Sequence, residues 1–210
     1  DIILTGKEFS SIPIFSGTFD GQGHSIKGVS VTGVTGRGLF SIIGENAAVK
    51  NLNVVGIVRP SGSESSIGGI AGTNKGVVYN CKFSGKVAAT NTVGGIVGEN
   101  TSTGSVLKCT AAGTVDGEKF TGGVVGNNSG NIVQSINAAS VNTTNEEKKH
   151  SLEDIDLSTL TDVDSYTKKS SSSDETASAT DTGGIAGYST GTIFSCENSG
   201  SIGYPHVGYN

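Results

Sequence analysis

Six stretches of this chain share one internal spacing, and a repeat of that kind restricts the fold more than any single residue can. With Cys81, Cys109 and Cys196 superposed, Val78, Val106 and Ile193 fall three residues before them. Gly85, Gly113 and Gly200 fall four residues after, and Val87, Val115 and Ile202 six after. Another unit fits with Ser135 in the Cys place, flanked by Ile132, Ala139 and Val141, and another with Leu52, flanked by Val49, Gly56 and Val58. A first unit is aligned on Val29, with Ile26, Gly33 and Thr35. Upstream stands a second shared element, "GGIAG" at 68–72, "GGIVG" at 94–98, "GGVVG" at 122–126 and "GGIAG" at 183–187, with "GLFSIIG" at 38–44 as a degenerate version.

Within a unit the pattern is that of a strand. Cys81, Phe83, Gly85 and Val87 alternate with Lys82, Ser84 and Lys86, so a period of two puts the first set on one face and the lysines in water. The three-residue step from Val78 to Cys81 breaks the alternation and predicts a corner or bulge there. The step from Ile96 to Val106 is ten residues where the equivalent steps are eight, which reads as a two-residue loop insertion. One such unit cannot bury its own apolar side, but stacked units can. The expected fold is all-β: a parallel β-helix (β-solenoid) of about six to seven coils, each about 21–28 residues, with one long insertion. A composition with 33 Gly, 3 Pro and 16% charged residues suits short strands joined by tight turns.

These GG-I/V-A/V-G elements, each followed by G-x-I/V-x-x-C, resemble the GLUG-motif repeats of bacterial surface and secreted proteins. "FSGTFDGQGHSIKGV" at 15–29 and "GLFSIIGENAAVKNLNV" at 38–54 look like the opening coils that precede such repeats. The resemblance covers nearly the whole chain except 142–181. It implies a β-helix on a cell surface, in adhesin-like proteins or in non-catalytic regions of bacterial immunoglobulin A proteases, and it brings no catalytic residue with it.

The expected organisation is one solenoid domain over 1–210, with an N-terminal coil or cap at 1–37 and regular coils at 38–141. A polar acidic insertion follows at 142–181, then a last, truncated coil at 182–210. Residues 143–181 hold ten acidic and four basic side chains; the remainder holds nine acidic and ten basic, so the net charge of −5 resides in the insertion. Within it "SLEDIDLSTLTDV" has a helix N-cap at Ser151 and Asp154 at the capping-box position, and "KKSSSSDETASAT" has the composition of a flexible segment. The nearly neutral framework lacks the basic stripe of a nucleic-acid binder, and no apolar run approaches the roughly 18 residues of a membrane span. Asp1 stands where an initiator Met would, and "GYPHVGYN" at the end resembles no cap, so a monomeric fragment of a longer chain is expected.

No enzyme is expected. The chain contains neither H-E-x-x-H, G-x-S-x-G nor a phosphate-binding G-x-x-x-x-G-K-[ST]. His24, His150 and His206 are the only histidines; His24 reads as a solvated turn residue and His206 has no metal-spaced neighbour. Asp20, Asp116 and Glu118 fall in turns of different coils, where the repeat does not bring them together. No catalytic, cofactor-binding or metal-binding residue is therefore expected, with a calcium site in the acidic insertion as the alternative. Asn100, Asn127 and Asn142 begin glycosylation sequons but read as turn asparagines. Cys81 and Cys109 are expected on adjacent rungs as buried free thiols acting as small hydrophobes, a Cys81–Cys109 bridge being the alternative.

A further ladder, two residues past the Cys place, reads Val31, Val54, Phe83, Ala111, Asn137, Asn198, and predicts that Asn137 and Asn198 hydrogen-bond across coils. The function expected is a structural, adhesive module of a larger bacterial surface or secreted protein, presenting a rigid surface to a host protein or glycan. The alternative is a non-catalytic substrate-binding or spacer region of a large secreted protease or glycan-active enzyme.

Overall fold

A computed structural model of the chain describes residues 1–4, 6–144 and 181–203. Among these residues there is no helix, and every strand pairs in parallel with the strand one coil away. The architecture is a β-solenoid.

Four sheets line it. The first, seven strands deep, comprises Ile2–Ile3, Ser25–Val31, Asn53–Val58, Lys82–Ala88, Thr110–Asp116, Ile136–Val141 and Glu197–Asn198. The second stacks six three-residue strands, among them Ala48–Lys50, Val77–Tyr79, Ser105–Leu107, Asn131–Val133 and Thr192–Phe194. The third also has six, including Phe40–Ile43, Ala71–Asn74, Val97–Asn100, Val125–Asn128 and Ala186–Ser189. A short fourth sheet holds Ile67–Gly68, Val93–Gly94, Phe120–Gly122 and Asp181–Gly183. In a regular coil the chain visits the fourth, third, second and first sheets in that order.

The alternation read from the sequence sets the interior. Val49, Val78, Val106 and Ile132 stack as one fully buried rung of the second sheet. Val54, Phe83, Ala111 and Asn137 form another on the first sheet, as do Val58, Val87, Val115 and Val141. Fully burying one such aliphatic side chain stabilises by about 1.5–3 kcal/mol, and only the neighbouring coils complete that burial.

The three-residue step before each Cys place is a corner, and its cause is visible in the backbone. Asn51, Asn80, Lys108, Gln134 and Ser195 all adopt left-handed φ angles between 49° and 54°. One left-handed residue turns the chain from the second sheet into the first. Asn tolerates that conformation better than Lys or Gln, so the rungs bearing Lys108 and Gln134 carry local strain.

The first unit departs from the sequence alignment. Val29 does not lie beneath Leu52; it pairs with Gly56, and His24 occupies the Leu52 place. Val31 pairs with Val58, so the inner ladder runs from Ile26, not Val31, to Val54. The register slips between Lys27 and Val29 at a bulge made by Gly28, whose φ is +77°. An apolar spacing of three followed by two hid that extra residue. The register steps of the early coils fall close to the expected length: Ile2 pairs with Ile26, 24 residues on, and the step from Val49 to Val78, 29 residues on, exceeds it by one.

The recurrent glycines are packing requirements. A Cβ on Gly68, Gly94, Gly122 or Gly183 would meet the carbonyl oxygen three residues later at 1.9–2.2 Å. On Gly69 it would meet the Phe83 ring at 2.3 Å, and on Gly123 the Asn137 amide at 2.2 Å. The last glycine of the motif, Gly98 or Gly126, lies against the backbone of the fourth-sheet strand one coil earlier. The motif thus lets the short fourth sheet lie directly on its neighbours.

Candidate functional site

The residues weighed for chemistry stay apart. Asp20 pairs with Lys50 at 3.3 Å, and the Asn51 side-chain amide and the Gln22 N–H hold its carboxyl below the usual carboxylate value. Asp116 pairs with Lys86 at 3.3 Å on the first sheet. His24 is exposed beside Asp1 at 3.7 Å. Among the described residues no three His, Cys, Asp or Glu side chains gather as metal ligands. His150, His206 and the expected helix at 151–163 lie outside the described residues.

The three cysteines are free. Cys81 donates its S–H toward the carbonyls of Tyr79 (3.3 Å) and Val49 (3.5 Å), and Cys109 toward Leu107 (3.4 Å) and Val78 (3.5 Å). Ser135 does the same toward Val133 (3.2 Å) and Val106 (3.5 Å). Burial pushes the Cys109 thiol well above its ordinary value, which removes its nucleophilic form at neutral pH. The place asks for a small side chain that can donate weakly to the corner carbonyls, a role a hydroxyl fills equally.

Buried amides are the second organising element. Asn137 donates to Asn198 at 2.7 Å, as the ladder predicts, and also bonds the backbone of Ala139. A longer amide ladder lies inside the third sheet. Asn74 donates to Asn100 at 2.8 Å, Asn100 to Asn128 at 2.8 Å, and Asn128 to Ser189 at 3.1 Å. All three asparagines are fully buried, and each also donates to the carbonyl of the following turn glycine, at Gly76, Gly104 or Gly130. The sequon reading of Asn100 as a turn residue therefore needs correction: its side chain faces the core. The signal was present, since Asn74, Asn100, Asn128 and Ser189 each fall four residues after the Ile or Val of the glycine motif.

What remains for recognition is the outside, and its variation is concentrated at one corner. Between the first and fourth sheets the connections are eight residues at 59–66, four at 89–92, three at 117–119 and 39 at 142–180. The opposite corner, between the third and second sheets, varies only between two residues and four, the longer connections being 44–47 and the 101–104 insertion that the sequence indicates. The loop corner is tied across coils: Arg37 Nε donates to Glu64 at 2.8 Å, Asn91 to the Ser63 carbonyl at 3.4 Å, and Ser66 to Glu99 at 3.2 Å. Asn142, 2% exposed and left-handed, accepts from the Gly117 N–H and donates to Thr182 Oγ1, both at 2.8 Å. It clasps the departure of the longest connection to its return, and Asp181 rejoins the fourth sheet opposite Phe120.

Comparison with known proteins agrees with this geometry. Residues 63–88 and 89–116 match the family described as the GLUG motif. These two coils are GLUG repeats. Each match runs from the loop corner through one glycine motif, one corner Cys and the first-sheet strand that follows it, so each match corresponds to one circuit of the solenoid. A protein named halomucin, from Haloquadratum walsbyi, is 34% identical over 96 residues, covering 42% of this chain and 1% of its own length. A protein named as a Gly-rich membrane protein, from Evansella cellulosilytica, is 28% identical over 122 residues, covering 42% of this chain and 14% of its own. The matched part of this chain thus spans a small fraction of both relatives. No solved structure matches the chain significantly.

Proposed function

We propose that this GLUG solenoid is a non-enzymatic display module of a longer cell-surface or secreted protein, presenting a rigid surface to a protein or glycan. The observation that carries the reading is the division of labour around the coil. Three sheets keep their register except at the Gly28 bulge, while the corner between the first and fourth absorbs connections from three to 39 residues. A scaffold that fixes its core and varies one edge suits recognition by loops held on a rigid frame. The relatives' lengths fit a repeat module set within much larger proteins, and one of them is named as a membrane protein.

The test is binding of the whole chain to arrays of glycans and of extracellular proteins, repeated with 145–180 replaced by a short Gly-Glu-Lys turn like that at 117–119. Specific binding that the shortened chain loses supports display by the loop corner. Absence of any specific ligand on both arrays would refute the reading.

A further inference from the structure

The corner between the second and first sheets brings together apolar, amide and cationic groups that the core does not use. Tyr79 and Leu107 are paired neighbours on the outer row of the second sheet, each half-buried. Next along the chain come the left-handed corner residues Asn80, Lys108 and Gln134, all exposed. Lys108 Nζ stands 5.9 Å from the centre of the Tyr79 ring, and Lys82, also exposed, opens the first-sheet strand beside them. Lys27, Lys50 and Lys86 each have a carboxylate within 4.0 Å; among the described residues Lys82 and Lys108 have none.

We propose that this corner binds an acidic polysaccharide, a chain of uronic-acid sugars lying along the solenoid axis. The proposal rests on the display reading and names a ligand class and a place for it. The C–H face of a pyranose suits the apolar surface of Tyr79 and Leu107. Its hydroxyls suit the Asn80 and Gln134 amides, and its carboxylates suit the two unpaired ammonium groups. The corner positions of successive rungs, about 4.8 Å apart, carry Asn51, Asn80, Lys108 and Gln134 in turn, so an extended chain meets an amide or an ammonium group at each step. An acidic peptide fits less well. Peptides that dock on sheets do so by adding a strand to an open edge, whereas the strands bearing these residues are paired on both sides. Duplex nucleic acid draws its affinity from many phosphate contacts, and two lysines supply few.

The experiment uses the whole chain and polygalacturonate, with titration calorimetry and affinity electrophoresis. Binding should weaken as salt rises, and Lys82→Gln with Lys108→Gln should reduce it about five- to tenfold, two exposed charge contacts at up to about 1 kcal/mol each. Tyr79→Ala should reduce it as well, while Lys75→Gln, an equally exposed lysine at another corner, should leave it unchanged. Polygalacturonate should also protect Lys82 and Lys108, but not Lys75, from acetylation in the native protein, a readout independent of any variant's folding. Undiminished binding by the double variant, equal competition by polyglutamate, or no binding of polygalacturonate by the native chain would each overturn the proposal. If polygalacturonate fails while the arrays still record a specific ligand, this site falls and the display reading stands; if the arrays are also empty, both fall.

Discussion

Replacing Asn100 by Leu tests whether the buried amide ladder holds the third sheet together. Leu keeps the same branched side-chain skeleton, is larger because two methyl groups replace the amide oxygen and nitrogen, and removes every side-chain polar contact. In the native protein the Asn100 amide donates to Asn128 Oδ1 at 2.8 Å and to the carbonyls of Gly104 and Asn131 at 3.3 Å. Its own Oδ1 accepts from Asn74 at 2.8 Å. After substitution Asn74 still reaches the Gly76 and Ser105 carbonyls, but Asn128 Oδ1 loses its donor, and it is fully buried. A buried acceptor left without a partner costs about 1–3 kcal/mol, and the weakened carbonyl contacts add to it. The expected loss is about 2–5 kcal/mol, a large part of the roughly 5–15 kcal/mol that holds a domain folded. Asn80→Gly is the matched control: it removes an exposed Asn80–Asn51 amide contact of 2.9 Å while preserving a left-handed corner. That change should cost under about 1 kcal/mol. Urea unfolding followed by far-ultraviolet circular dichroism gives both values. If Asn100→Leu shifts the midpoint no more than Asn80→Gly does, the ladder is not a source of stability and the reasoning fails.

Other outcomes follow from the same geometry. Gly123→Ala should prevent folding or cost more than about 3 kcal/mol, since the new Cβ would lie 2.2 Å from both the Asn137 Cγ and the Gly184 carbonyl oxygen; Gly23→Ala, with open space around it, should cost about 1 kcal/mol. Thermal melts of the two variants decide this. Cys109→Ser should lie within about 1 kcal/mol of the native protein because Ser135 already fills the equivalent place. Thiol reagents on the native protein should modify half-buried Cys196 well before Cys81 or Cys109, and mass spectrometry after brief labelling shows the order. Asn142→Ala should cost about 2–3 kcal/mol, through two lost hydrogen bonds and a strained left-handed Ala, measured by denaturant unfolding. Asp20 has a depressed native pKa, so its stabilising contribution is present above the unfolded value near 3.8 and fades as pH falls through the native one. Carboxyl titration by NMR should place its midpoint below 3.8, and Asn51→Ala should move it back up.

Much of the frame was legible before any coordinates. The Val78–Cys81–Gly85–Val87 spacing specifies a corner, a strand and a stacked rung, and the structure shows all three. The Asn137–Asn198 bond was legible for the same reason: a period shared by neighbouring coils puts equal positions on one rung. The third-sheet ladder was equally periodic but obscured, because the extra residues near 101–104 follow Asn100 and the sequon pattern drew that residue outward. The candidate binding corner was less legible still. Lys82, Tyr79 and Lys108 alternate or interrupt as ordinary outward residues, and only folding brings Lys108, from the next coil, to the Tyr79 ring.

What the sequence by itself determined is the local alternation and the period of each coil, since both depend on side-chain size and polarity at fixed intervals along one strand. What the tertiary structure alone decided is phase and direction: that Gly28 inserts a bulge and moves Val29 from the Leu52 rung to Gly56, and that the longest and most variable connections leave by one corner. Those outcomes depend on which backbone groups find partners in the next coil, and a strand's own sequence does not say where the neighbouring strand will stop.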